Sequence, residues 1–327
     1  MLMRKELELW RFISKHLRAG QSIMLLVVAE SAGSSPGRQG FKMIVAADEI
    51  YGSIGGGVME VRLAEQAKAK IQNEKLKSAP EIVEQIHQKN SPQTSGMICS
   101  GRQTVIFFRL NPTHLKAVRE IIDALTHYEP KILQISNSAL QIAENASGDF
   151  DFSFERTGES DFFYAEKLGY KNQLYIVGGG HCALALSELA SKMDFHISLF
   201  DDRADLNTLA KNQFVHEKRI IESYEKIDEF IASGANAYVV VMTLGYKSDE
   251  TVIRRLFDKN FKYFGVLGSK AKMKTLLRNL EKENFPKEKL AQIRTPIGLK
   301  INSRTPEEIA VSIAAEIIAV KNAKAKA

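Results

Sequence analysis

Three consecutive glycines, Gly178–Gly180, lie between an apolar run typical of a buried strand and a segment with helical spacing. A second apolar run follows that segment and ends in Asp201. Gly178, Gly180 and Ala183 fit the spacing G-x-G-x-x-G/A, in which backbone N–H groups approach a diphosphate. In such units an acid about twenty residues on meets a ribose hydroxyl. The stretch predicts a dinucleotide-binding βαβ unit; the alternative is a tight turn without a ligand.

Two charged or titratable residues lie beside this pattern. His181 directly follows the glycines, where it could cap the helix or contact a ligand, and the sequence leaves both roles open. Arg203 comes two residues after Asp201, and an arginine near that acid accommodates the 2′-phosphate of NADP. The choice between the two nicotinamide dinucleotides therefore also stays open.

The first half of the chain holds two further loops of small residues. Residues 33–40 include Ser34, Ser35 and Arg38, and a second glycine triplet, Gly55–Gly57, opens a long helical pattern. Backbone N–H groups of small residues, together with a helix N-terminus, favour an anion, and Arg38 and Lys42 could supply positive charge. The alternative is that the triplet only relieves a crowded turn.

Cys99 lies in a loop of glycine, serine and other polar residues, 91–101. A cysteine in such a loop is better placed for reaction or ligand contact than one in a core strand. Many cysteines are nevertheless small buried apolar residues, so the sequence supports both interpretations. The other cysteine, Cys182, follows the second glycine triplet, and neither belongs to a Cys-x-x-Cys pair. The sequence thus indicates neither a disulfide framework nor a zinc site.

Composition places the chain among ordinary globular proteins. It has 327 residues, 44% hydrophobic and 26% charged, which suffices for two domains. The net charge of +6 favours anionic partners, although no basic-aromatic module predicts nucleic acid binding. The first residues mix acids and bases, unlike a secretory signal, and no apolar run is long enough to span a membrane. We therefore expect a cytoplasmic protein.

The strand and helix patterns position these residues in two domains, predicted at 1–167 and 168–327. Before the boundary we expect a mixed α+β domain, including a weak helix at 80–89. After it, strands and helices alternate, which predicts a Rossmann-like doubly wound parallel sheet. Short helices are expected at 204–212 and 224–233, a helix capped at Ser248 or Asp249, and a last helix opened by Thr305 and Pro306.

The chain resembles the XdhC/CoxI family, the xanthine dehydrogenase accessory factors, along nearly its whole length. Seven blocks in the family's order carry the resemblance: GSSPGRQGFKMIV (33–45), GSIGGGVMEVRL (52–63), MICSG (97–101), LYIVGGGHCALAL (174–186), FDDR (200–203), YFGVLGSKAK (263–272) and RTPIGLKINSRTPEEIAVSIAAEII (294–318). The resemblance implies a family-specific N-terminal domain and a C-terminal Rossmann domain.

The resemblance also implies a function. Such factors bind molybdenum cofactor, protect it during sulfuration and deliver it to a xanthine dehydrogenase-type molybdenum hydroxylase. The implied partners are that hydroxylase, a cysteine desulfurase and a second copy in a homodimer. Glycine turns suit the phosphate end of molybdopterin, and the Cys99 thiolate suits the soft metal, so Cys99 is a candidate molybdenum contact. Two cysteines cannot hold the two iron–sulfur clusters of a hydroxylase, so we expect a non-catalytic cofactor chaperone.

Three departures from the family's pattern limit what can be transferred. The family usually has glycine where this chain has Ser100, and often cysteine at the position of Val58. The Thr-His-x-His-x-x-Asp segment is here Thr243–Asp249 without either histidine, so roles built on those histidines do not carry over. Two other functions remain open: an NAD(P)-dependent oxidoreductase that uses the Rossmann unit, and a scaffold that binds no cofactor.

Overall fold

The computed structural model describes residues 2–73, 79–87, 101–144, 150–158, 161–193 and 195–323. Cys99 and Ser100 lie outside these residues. The chain forms two compact units, Met3–Gly169 and Tyr170–Ala327.

The first unit contains helices and two antiparallel sheets. Its helices and strands are α1 (Leu2–Arg18), β1 (Ile23–Gly33), β2 (Lys42–Val45), β3 (Ile50–Gly52), α2 (Gly57–Gln72), β4 (Glu81–His87), β5 (Gly101–Leu110), α3 (Leu115–His127), β6 (Lys131–Ser136), β7 (Leu140–Glu144), β8 (Phe152–Arg156) and β9 (Phe162–Lys167). A five-stranded sheet has the order β3-β2-β1-β5-β4, and a four-stranded sheet the order β7-β6-β9-β8.

The long pair β1 and β5 is the centre of the five-stranded sheet. It runs antiparallel from Ile23 opposite Leu110 to Gly33 opposite Gly101. Apolar side chains from one face of this sheet, such as Leu26 and Phe107, pack against Leu63 of α2. The pairing of Gly33 with Gly101 brings the loop after β1 next to the first residue of β5.

The predicted weak helix at 80–89 is wrong, because residues 81–87 form β4; residues 88 and 89 lie outside the described residues. Its register against β5 runs from Glu81 opposite Phe107 to His87 opposite Gly101. Ile82 and Ile86 are four residues apart, which suits one face of a helix. The β-branched residues instead favour an extended chain, and pairing with β5 supplies hydrogen bonds that local spacing does not reveal.

A buried ion pair connects the two sheets of this unit. Lys42 of β2 is 8% exposed, and its Nζ lies 2.6 Å from Oε2 of Glu166 on β9. Glu6 of α1 lies 3.4 Å from the same Nζ, and the Tyr164 hydroxyl donates to Glu166 at 3.0 Å. Burial alone would lower the pKa of Lys42, but the two carboxylates raise it overall. Lys42 also donates to the Gly40 carbonyl of the nearby loop at 3.1 Å, so its charge is already used by contacts within the fold.

The second unit is a parallel sheet flanked by helices. Its elements are β10 (Gln173–Val177), α4 (His181–Ala190), β11 (His196–Asp201), α5 (Asn207–Lys211), β12 (Glu217–Ile220), β13 (Gly234–Val241), α6 (Tyr246–Leu256), β14 (Phe261–Val266), α7 (Lys270–Lys282), α8 (Lys287–Leu290) and α9 (Pro306–Lys321). The strand order is β12-β11-β10-β13-β14, all parallel.

This order confirms the predicted Rossmann-like doubly wound sheet. The first strand of the unit, β10, lies in the middle, and the chain goes outward on one side before it returns to the other. The strand order reverses between β10 and β13, whose carboxyl ends are at Val177 and Val241. Ligands in such sheets bind outside the carboxyl ends of the strands at this reversal.

The helices of this unit differ in detail from the sequence prediction. The segment 224–233 forms only a 3-10 helix, Tyr224–Glu229, and α6 begins after Gly245 rather than at Ser248 or Asp249. The start of α9 is confirmed: the Thr305 side chain accepts from the backbone N–H of Glu308, and the Glu308 side chain accepts from that of Thr305.

None of the helices in the described part of the chain is both long enough and apolar enough to cross a membrane.

Candidate functional site

The three glycines after β10 differ in what a side chain at each position would contact. Gly178 has φ +108°, and a Cβ there would lie 2.3 Å from the carbonyl oxygen of Met242. A Cβ on Gly179 would lie 2.8 Å from the Leu209 side chain, whereas one on Gly180 would meet open space. Packing therefore explains the first two glycines. Gly180 leaves the start of α4 approachable from outside, as a bound phosphate requires.

Asp201 holds this turn from inside the protein. It is fully buried, and its carboxylate accepts from the backbone N–H of Gly179 at 2.6 Å. The Arg203 guanidinium donates to both carboxylate oxygens, at 2.9 and 2.8 Å. Burial would raise the pKa of Asp201, but the hydrogen bonds from Arg203 and Gly179 hold it below its usual value. A ribose hydroxyl could reach this carboxylate only if some of these bonds broke.

The first turn of α4 lacks a side-chain cap. Gly180 is the N-cap residue and no side chain accepts from the first N–H groups of the helix. His181 begins the helix and its side chain is exposed. Arg203, at the end of the neighbouring strand, is 32% exposed. This edge thus offers backbone N–H groups suited to an anion, beside an arginine that is partly exposed and ion-paired with Asp201.

A second buried carboxylate, Asp249, lies at the carboxyl end of β13. It is fully buried on α6 and accepts from the Thr243 hydroxyl at 2.6 Å. The Lys272 ammonium, on α7, lies 2.9 Å from its other oxygen. The sequence analysis did not predict the pairing of Asp249 with Lys272. The acid six residues after Thr243 was the only local signal.

In the first unit, one buried amide joins the two predicted loops. Gln103 of β5 is fully buried; its Oε1 accepts from the Ser35 hydroxyl at 2.9 Å, and its Nε2 donates to the Ile54 carbonyl at 2.8 Å. The loop 33–40 and the turn that contains the first glycine triplet are therefore neighbours. Sequence reasoning did not single out Gln103, which reads as an ordinary polar residue at the start of an apolar strand.

Close backbone contact completes this loop cluster. A Cβ on Gly55 would lie 2.5 Å from the backbone nitrogen of Gly37, and one on Gly37 would lie 2.0 Å from the Ile54 carbonyl oxygen. A Cβ on Gly101 would lie 2.7 Å from the backbone nitrogen of Ser35. We call Ser34–Arg38, Ile54–Gly57, Gly101 and Gln103 the loop cluster.

The glycine triplet 55–57 binds a carboxylate of its own helix. The Glu60 side chain accepts from the backbone N–H groups of Ile54 at 2.8 Å and Gly56 at 2.9 Å, and from the Ser53 hydroxyl at 2.6 Å. Partial burial would raise the pKa of Glu60, but these donors lower it overall. The backbone N–H groups of Ile54 and Gly56, in the turn predicted to bind an external anion, therefore already bind the Glu60 carboxylate.

The remaining predicted residues of the cluster differ in accessibility. Ser34 and Arg38 are exposed, and no ion pair or hydrogen bond of the Arg38 guanidinium exists within the described residues. Ser35 is buried, and its hydroxyl donates to Gln103. Gly56, with φ +78°, faces open space. Arg38 therefore supplies the accessible charge here.

The described residues contain no group of three or more histidine, cysteine, aspartate or glutamate side chains arranged for a metal ion. Cys99, the predicted molybdenum contact, lies outside them. Cys182 of α4 is half-buried, and burial raises the pKa of its thiol, with Glu307 contributing in the same direction. Cys182 is thus a poor thiolate at neutral pH.

The parallel strand order and the glycine turn after β10 define the second unit as a Rossmann-like domain. The model of the XdhC Rossmann domain matches residues 174–317, and that of the XdhC and CoxI family matches residues 16–78. The two matches together include more than half of the chain. The chain belongs to the XdhC and CoxI family.

Individual relatives agree with this assignment. An uncharacterized Escherichia coli K12 protein, YqeB, is 23% identical over 90% of this chain and 43% of its own length. A Bacillus subtilis 168 protein described as a probable subunit of xanthine dehydrogenase is 32% identical over 47% of this chain and 44% of its own length. The chain thus spans under half the length of these curated relatives.

A solved structure shows the same fold. A crystal structure described as a xanthine dehydrogenase from Bacillus halodurans superposes with a TM-score of 0.72 at 22% identity, and covers 98% of this chain and 97% of that one.

Proposed function

We propose that this protein binds molybdenum cofactor as cargo, assists its sulfuration, and delivers it to a xanthine dehydrogenase-type molybdenum hydroxylase. The molybdopterin phosphate, the sulfur ligands and the metal are then held by this chain only until transfer. A cysteine desulfurase is the sulfur source in this proposal, and the acting form is a homodimer in the cytoplasm.

The observation that carries the proposal is the loop cluster. Three separate segments meet there through contacts of Gln103, Gly37 and Gly101. Cys99 comes two residues before Gly101, the first residue of β5, which pairs with Gly33 and packs closely against the backbone of Ser35. A thiol so close in sequence to a packed, glycine-rich surface is a suitable ligand for a soft metal.

The second unit supports the phosphate part of the proposal. Gly180 and the uncapped N-terminus of α4 leave N–H groups open, and Arg203 adds positive charge at the neighbouring strand end. These groups suit a phosphate ester. They favour it over an unphosphorylated ribose, because Asp201 is already bonded to Gly179 and Arg203.

Family membership and the names of relatives support the hydroxylase as partner. One relative is described as belonging to a xanthine dehydrogenase, and the superposed crystal structure carries the same description. This chain itself has two cysteines, too few for the iron–sulfur clusters that hydroxylases carry. A delivery role therefore fits better than the redox reaction.

The test is to purify the protein from cells that make molybdenum cofactor and to assay bound pterin, molybdenum and NAD(P). Pterin with molybdenum supports the proposal. Nicotinamide dinucleotide without pterin would identify an oxidoreductase, and neither ligand would leave a scaffold.

Two variants sharpen this test. Cys99→Ser is expected to lower bound molybdenum at least tenfold, since a thiolate is replaced by a weak hydroxyl ligand. Cys182→Ser is the matched control, and its molybdenum content should equal that of the wild type. Equal retention by both variants would remove Cys99 from the site.

A further inference from the structure

The last helix of the second unit, α9, has apolar side chains on two of its sides. One side is buried in the same core as α4 and comprises Ala310, Ile313, Ala314 and Ile317. The other side is open: Val311 is 50% exposed and Ile318 41%, Ala319 is exposed and Ala315 is half-buried. An apolar side of a helix normally packs against another element. We call Val311, Ala315, Ile318 and Ala319 the α9 face.

The α9 face is continuous and uncharged. Its four residues are spaced i, i+4, i+7 and i+8, which places them on one side of about two helical turns. In this stretch of the described chain, the only charged side chain between Val311 and Lys321 is that of Glu316. Glu316 is buried on another side of the helix, where it accepts from the Tyr263 hydroxyl at 2.6 Å.

A loop bonded to α9 adds to the exposed apolar surface. The Leu299 N–H donates to the Ser312 carbonyl at 3.2 Å, and the Ser312 hydroxyl donates to the Leu299 carbonyl at 2.6 Å. The Gly298 N–H donates to Glu316 at 2.8 Å. Leu299 is 43% exposed and Ile301 is 48% exposed. These bonds hold apolar side chains in place beside the helix, as a docking surface requires.

The charges at the two ends of α9 differ in sign. The first turn has Glu307 and Glu308, both exposed, and the Glu308 carboxylate also caps the helix. The last turn has Lys321, whose ammonium lies 5.5 Å from the Phe195 ring. Two parallel copies of α9 would bring like charges together, whereas two antiparallel copies bring each acidic turn beside a basic one. The α9 face is therefore complementary to itself about a twofold axis.

We propose that a second copy of this chain covers the α9 face, with the two α9 helices antiparallel about a twofold axis beside Ala315. The small side chain at the axis lets the helices approach closely, and the larger Val311 then lies opposite the smaller Ala319 on each side. This inference rests on the homodimer of the proposed function and is independent of its cargo.

Size-exclusion chromatography with light scattering, on the full-length protein at micromolar concentration, tests this inference. The wild type should be a dimer. Ala315→Glu should weaken the dimer on the order of a hundredfold, because two carboxylates would meet at the axis. Ala271→Glu, the same substitution at an exposed position of α7, should remain dimeric. Circular dichroism checks that both variants fold.

A mixing experiment tests the twofold axis itself. Ala315→Lys should also be monomeric alone, and an equimolar mixture of Ala315→Glu and Ala315→Lys should form a heterodimer, because unlike charges then meet. A monomeric wild type, a dimeric Ala315→Glu, an equal loss in Ala271→Glu, or a mixture that stays monomeric would overturn the inference. Bound pterin is assayed separately, so a dimeric wild type without pterin would overturn the proposed cargo and leave this inference intact.

Discussion

The two glycine triplets of this chain look alike in sequence, yet different carboxylates bind their backbone N–H groups. At 55–57 the carboxylate of Glu60, from the same helix, binds the N–H groups of the turn itself. At 178–180 the carboxylate of Asp201, from the next strand, binds Gly179 and leaves Gly180 open. A glycine triplet before a helix thus identifies a sharp turn, and the carboxylate that fixes the turn can come from the same helix or from the next strand. In both places the helix begins without a side-chain cap, and the N-cap glycine, Gly56 or Gly180, faces open space.

The largest expected effect concerns the glycine that is required by packing. Gly178→Ala should lower the free energy of unfolding by about 3 kcal/mol, because the new Cβ meets the Met242 carbonyl at a positive φ. Gly180→Ala should change it by less than about 0.5 kcal/mol, since its Cβ faces open space. Urea unfolding followed by circular dichroism measures both. Equal losses would break the distinction between packed and open glycines.

Removal of the Asp201 charge should cause the second-largest loss of free energy of unfolding. Asp201→Asn should cost about 2–3 kcal/mol at pH 7, because Arg203 loses its buried partner while Gly179 keeps an acceptor. The folded pKa of Asp201 lies below its usual value near 3.9, so this contribution is complete above that pH. It disappears as the pH falls through the folded pKa. Urea midpoints of variant and wild type should therefore differ at pH 7 and converge in acid; a constant difference would exclude the carboxylate as the cause.

The Gln103 amide tests whether the first triplet depends on its neighbour loop. Gln103→Met should cost about 2 kcal/mol, since the Ser35 hydroxyl and the Ile54 carbonyl lose buried partners. Gln85→Met on β4 is the control, because Gln85 is partly exposed and bonds only Arg62 among the described side chains. Thermal unfolding compares the two. A loss in Gln85→Met as large as that in Gln103→Met would contradict the structural role of Gln103.

The smallest effect is expected at Glu60. Glu60→Ala should cost about 1 kcal/mol, because the backbone donors at this turn bond to water instead. The freed N–H groups should then accept an external anion, so added phosphate should raise the Tm of Glu60→Ala more than that of the wild type. Glu65→Ala, at an exposed position of α2, should gain nothing from phosphate. A phosphate response in Glu65→Ala would mean that the turn is not the anion site.

Sequence reasoning succeeded where one pattern has one structural solution. Alternating strands and helices require a parallel sheet, and Thr305-Pro306-Glu307-Glu308 can only begin a helix, so both predictions are confirmed. It failed at β4, where apolar residues four apart suit a helix and a strand equally. Only the partner strand β5 decides between them, and pairing partners are distant in sequence.

The chemistry of the turns could be predicted less well than their positions. Asp201 was predicted to meet a ribose hydroxyl and Glu60 was not singled out, because sequence does not reveal what a carboxylate meets in space. Their partners are backbone N–H groups and Arg203. Asp249 and Lys272 are 23 residues apart on two helices, so no local spacing connects them.

Gln103 has one further consequence. Because its single amide bonds both Ser35 and Ile54, neither loop of the cluster can shift without the loss of a bond to the other. A displacement of the Ser34–Arg38 loop that breaks the bond to Ser35 therefore also removes a restraint on the Ile54–Gly57 turn, and the reverse holds by the same free energy.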